Sequence, residues 1–62
     1  MLTIYEVETD FGAFFVEAPS LISASQYASR KFGSEFLNRI SLADPKEVEI
    51  LRSLPNLIER AA

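Results

Sequence analysis

Cysteine, histidine and tryptophan are absent from this 62-residue chain, and glycine and proline occur only two and three times. Without histidine or cysteine the commonest general base, the thiol nucleophile and the soft metal ligands are missing, so the composition points away from an enzyme. No disulfide can staple the fold, and a domain this small buries only about 60% of the surface its unfolded chain exposes. Tight packing, self-association or a partner must make up the difference. No run of 18 apolar residues occurs, and Met1-Leu2-Thr3-Ile4-Tyr5-Glu6 lacks the basic segment and long apolar stretch of a leader peptide. We therefore expect a cytoplasmic protein with no membrane association. Hydrophobic content of 48% against 24% charged residues argues for a folded domain rather than a disordered one.

A further absence is local. Residues 1–29 hold no lysine, arginine or histidine, yet they contain Glu6, Glu8, Asp10 and Glu17. All the basic side chains (Arg30, Lys31, Arg39, Lys46, Arg52, Arg60) lie beyond them, so the net charge of −3 hides a lopsided distribution. A one-signed face on a small domain steers it toward a partner of opposite charge. With an isoelectric point near 4.7, and only Arg30, Lys31 and Arg39 available for a basic patch, direct nucleic-acid binding is not expected.

Residues 2–9 and 13–18 are rich in β-branched and aromatic side chains around the turn-forming Asp10-Phe11-Gly12, and so read as a hairpin spanning residues 2–18. A two-residue loop at Asp10-Phe11 sets Val7 opposite Phe14, Tyr5 opposite Val16 and Thr3 opposite Ala18, which gathers one apolar side. The other side then carries Leu2, Ile4, Glu6 and Glu8 with Ala13, Phe15 and Glu17. Ser20 caps a helix over residues 20–32 that Gly33 closes, with Leu21, Ala24, Ala28 and Phe32 on its apolar face. Tyr27 and Lys31 flank that stripe, and Ile22 falls off it.

Residues 35–42 form a third strand, with Phe36, Ile40 and Leu42 on one side and Leu37, Arg39 and Ser41 on the other. Asp44-Pro45-Lys46-Glu47 is a helix start with an N-cap acid, proline at the first helical position and a capping-box glutamate. A second helix is expected over about residues 45–53, within a C-terminal helical segment placed at residues 45–60, with Pro55 interrupting it or beginning a new turn; a strand at residues 47–51 is the weaker alternative. The expected fold is α+β, a ββαβ unit with a three-stranded, mainly antiparallel sheet, one packed helix and a C-terminal helix, all in one domain over residues 1–62. The right-handed crossover rule lets the third strand lie beside the first, which becomes central.

No serine stands in a nucleophile elbow, and Glu6, Glu8 and Glu17 lack the graded oxygen spacing of a cation loop, so no catalytic residue, metal or cofactor is assigned. Glutamates at i, i+2 on a strand are ordinarily solvated surface, and a row of them also discourages aggregation. The residues assigned to partner contact are Ile4, Glu6, Glu8, Phe15 and Glu17, which combine acid and apolar groups on one side.

The stretch from Phe14 to Ala28 (FFVEAPSLISASQYA), followed by Phe32-Gly33 and Arg39-Ile40, resembles a pattern of small bacteriophage proteins. In them a strand ends in alanine, a Ser/Thr-Leu pair opens a helix with spaced alanines, and a strand carrying Arg-Ile follows. The pattern is similar to the host RNA polymerase inhibitor of T7-like phages and, more loosely, to some anti-CRISPR proteins. It covers about half of the chain and mainly encodes strand-helix-strand packing; residues 44–62 depart from that inhibitor's pattern. The resemblance implies a stoichiometric inhibitor or adaptor that binds a basic groove on a bacterial protein such as RNA polymerase or a CRISPR effector. The alternative is a homodimer or larger homo-oligomer joined through an apolar patch of Leu2, Ile4, Phe15 and Leu37 on the second sheet face.

Overall fold

A computed structural model describes residues 2–61. Strands β1 (Thr3–Thr9) and β2 (Gly12–Ala18) form the expected hairpin, with Thr3 opposite Ala18, Tyr5 opposite Val16 and Val7 opposite Phe14. The loop is fixed by Thr9, whose hydroxyl donates to the Gly12 carbonyl and accepts from the Phe11 N–H, both at 3.0 Å. Gly12 has a φ of 125°, a region disfavoured for residues bearing a Cβ.

Helix α1 (Leu21–Phe32) crosses one face of the sheet. The Ser20 hydroxyl accepts from the Ser23 N–H at 3.1 Å, and Gly33, at φ 89°, donates its N–H to the Ser29 carbonyl at 3.0 Å. Ala24 and Ala28 are fully buried against Tyr5, Val7, Val16 and Ala18, because side chains this small let the helix backbone approach the sheet closely. Phe32 joins that core and stacks at 4.5 Å on Phe14. Leu21 and Ile22 are exposed.

After a 3-10 turn at Ser34–Phe36, β3 (Leu37–Leu42) pairs antiparallel with β1. Its register shifts between Glu8 and Thr9, which pair with Arg39 and Leu37, so Asn38 is the extra residue of a bulge. The expected alternation therefore fails at its start. Leu37 packs with Ile40 against the α1 core and does not join the second face. Phe36 stays in the turn, its ring 5.0 Å from Phe11, while the Asp10 N–H donates to the Phe36 carbonyl at 3.1 Å.

Helix α2 (Pro45–Arg52) begins as expected, with the Asp44 carboxylate accepting from the Lys46 N–H at 2.8 Å. It does not continue to residue 60. The Ser53 hydroxyl donates to the Ile50 carbonyl at 2.7 Å, and Leu54, preceding a proline, leaves the helical region at φ −129°, ψ 63°. A 3-10 turn at Pro55–Leu57 leads into β4 (Ile58–Arg60), which pairs parallel with β2. The sheet is therefore mixed and four-stranded, ordered β3-β1-β2-β4, rather than three-stranded. Residues 47–51 are helical and not a strand. Helix α2 covers the second face, where Ile4, Ala43 and Leu51 form a smaller core bordered by Phe15, Val48 and Ile58.

Candidate functional site

Alternation along β1 sends Tyr5 and Val7 toward α1 and Glu6 and Glu8 to the opposite face. There Glu6 lies beside Ser41 and Glu8 beside Arg39 of β3. The first turn of α2 brings Asp44 and Glu47 within electrostatic reach of Glu6, an acidic group that the hairpin residues alone do not indicate. Partial burial pushes the Glu6 carboxyl up, Glu47 and Glu8 push it further, Arg39 opposes them, and Asp44 adds to the rise. Among the described residues no three carboxylates converge closely enough to hold a metal ion.

The other residues assigned to partner contact have different surroundings. Ile4 is 3% exposed in the core beneath α2, so a partner cannot reach it without displacing that helix. Phe15 is half-buried at the rim of the same core. The Glu17 carboxylate accepts the charge of Arg60, whose Nε lies 3.6 Å away, because β4 pairs Arg60 with Glu17 directly. The five residues therefore do not form one surface: Glu6 and Glu8 remain together, Ile4 and Phe15 serve packing, and Glu17 lies beside Arg60. The apolar patch expected for self-association is likewise dispersed, since Ile4 and Phe15 pack under α2 and Leu37 faces α1.

The strongest polar cluster lies on the α1 face. The Tyr27 hydroxyl donates to Glu59 Oε1 at 2.8 Å, and the Lys31 ammonium pairs with the same oxygen while lying 5.9 Å from the Tyr27 ring centroid and 5.8 Å from that of Phe32. Burial pushes the Glu59 carboxyl up, but the hydrogen bonds from Lys31 and Tyr27 outweigh it and hold it below its ordinary value. The same contact raises Lys31 and Tyr27. The arrangement holds charge in place and ties β4 to α1. The expectation that Tyr27 and Lys31 flank the core edge located two of its members; the third lies 32 residues beyond Tyr27 and depends on β4.

A shallow groove of about 380 Å³ runs between the start of β1, the end of β3 and α2; its lining includes Leu2, Leu42, Pro45, Val48 and Arg52. No helix among the described residues is long and apolar enough to cross a membrane. Comparison with protein-family models, with curated proteins and with solved structures finds no match to this chain.

Proposed function

We propose that the chain is a non-enzymatic protein-protein interaction module that presents Glu6, Glu8, Asp44 and Glu47 to a basic groove on another protein. The observation that carries this reading is the grouping of β1 acids with α2 acids around Glu6, with Arg39 as the one cation that offsets its raised carboxyl. An acidic field of this kind mainly speeds encounter and selects partners by sign, with smaller effects on the lifetime of the complex. The resemblance to phage inhibitors supports a phage-encoded inhibitor or adaptor acting in the bacterial cytoplasm, with RNA polymerase or a CRISPR effector as the class of target. Ile4 is released from the contact set, and Glu17 contributes only if Arg60 is drawn away.

The test is capture from bacterial lysate at low salt, comparing the native chain with Glu6→Lys/Glu8→Lys and with Glu47→Lys. Both variants should weaken capture and flatten its salt dependence. Capture that is unchanged in both removes the acidic-surface reading.

A further inference from the structure

The two edges of the sheet are treated differently. The β4 edge is three residues long and carries Glu59 and Arg60, each held by an ion pair. The β3 edge is six residues long with no proline and no lysine, and its bulge lies at the Asn38 end, so the strand is regular from Arg39 onward. The Ala43 N–H donates to the Ile4 carbonyl at 3.1 Å. In an antiparallel ladder the direction of the backbone groups alternates, so Arg39, Ser41 and Ala43 point toward β1 while Ile40 and Leu42 aim their N–H and C=O groups outward from the sheet. Leu42 is also 68% exposed, and Ile40 is only half-buried.

We propose that this edge pairs antiparallel with β3 of a second copy of the chain, about a two-fold axis through Ser41. In that register each outward residue meets another, and the pairing uses the regular part of β3 from Arg39 onward, clear of the Asn38 bulge. Ile40 stands opposite the second copy's Leu42, each N–H donates to the other's carbonyl, and symmetry repeats the pair. The exposed Leu42 side chain then meets an isoleucine on the α1 side of the joined sheet. Arg39 stands opposite the second copy's Ala43, one residue from its Asp44, so the strand's one charged residue approaches an acid rather than its own symmetry mate. An edge that paired Arg39 with itself would repel. The proposal is carried by the backbone of β3 and does not use Glu6, Glu8 or Glu47; it shares only Asp44 with the acidic surface, and its amide-exchange test at Ile40 and Leu42 reads the edge alone.

Light scattering at rising concentration should show the 7.0 kDa single-chain mass doubling. Amide exchange at Ile40 and Leu42 should slow by about tenfold or more between micromolar and millimolar protein, because association protects only the paired state. Leu42→Lys, at a site already exposed, should restore the single-chain mass with unchanged circular dichroism. A chain that stays monomeric at millimolar concentration overturns the proposal. So does a dimer in which the Ile40 and Leu42 amides exchange freely, or one that survives Leu42→Lys. The exchange measurement on the native chain stands even if the variant fails to fold.

Discussion

The sheet's two faces are built on different terms. The α1 face is closed by a twelve-residue helix with two alanines at the contact, and it encloses Tyr5, Val7, Val16 and Ala18 without an exposed carboxylate among them. The α2 face is covered by eight helical residues, encloses Ile4, Ala43 and Leu51, and shares its surface with Glu6 and Glu8. The first face is devoted to packing, with its one polar cluster, Tyr27, Lys31 and Glu59, at the β4 rim. The second divides one strand between packing at Ile4 and surface charge at Glu6 and Glu8, which is why the contact residues expected there separate. The lesson is that a charge-rich strand face need not be an open one.

The largest expected effect tests whether the second face truly carries stability. Ile4→Ala should destabilise the fold by about 2–5 kcal/mol in urea unfolding, as for other buried aliphatic truncations. A change near zero would mean that α2 is a loose cover. The complementary test fills the first face: Ala28→Leu should cost about 1–3 kcal/mol, because Ala28 is fully buried in the core between α1 and the sheet. If it costs nothing, the close approach of α1 is not a constraint.

Glu59→Ala should cost about 1–2 kcal/mol through loss of the charged hydrogen bonds, discounted for the exposure of Lys31. It should also speed exchange of the Ala61 amide, which donates to the Glu17 carbonyl at 3.0 Å. The smallest effect is expected at Glu6, where Glu6→Gln should leave stability at neutral pH within about 0.5 kcal/mol of the native chain or slightly above it.

Acid should separate the faces by sign. Glu59 has a lowered native value, so its contribution is present above its ordinary value of 4.5 and is lost as pH falls through the lowered one. Glu6 has a raised native value, so the folded state takes up its proton first. Its contribution improves as pH falls through the window just above 4.5 and is lost on the way back up. Unfolding midpoints followed from neutral into acid should show Glu59→Gln flattening the loss and Glu6→Gln removing the opposing gain. Equal and parallel responses would break the comparison.

The hairpin was legible because a two-residue loop leaves one register that collects Tyr5, Val7, Phe14 and Val16 on one side, and that register is the one observed. Both helix starts were legible from Ser20 and from Asp44-Pro45, whose capping bonds depend only on neighbours. Leu37 was misplaced because one extra residue at Asn38 inverts the alternation on which the strand was read. The fourth strand escaped because three residues are too few to show a period, and Ile58–Arg60 becomes a strand through the open edge of β2 rather than through its own pattern. The candidate site shared that blind spot. The charge asymmetry was visible, but the pairing of Glu17 with Arg60 and the burial of Ile4 both follow from where residues 45–60 fold.

One consequence of the alternation in β1 concerns errors of assembly. Were β1 to slide by a single residue against its neighbours, Glu6 and Glu8 would enter the dry space beside Ala24 and Ala28, and Tyr5 and Val7 would leave it. Two unpaired carboxylates in that space would cost several kcal/mol, a large share of the stability open to a domain this small. The acids thus proofread the central strand, and exchanging both for apolar residues should yield a chain that collapses readily but no longer settles on one alignment.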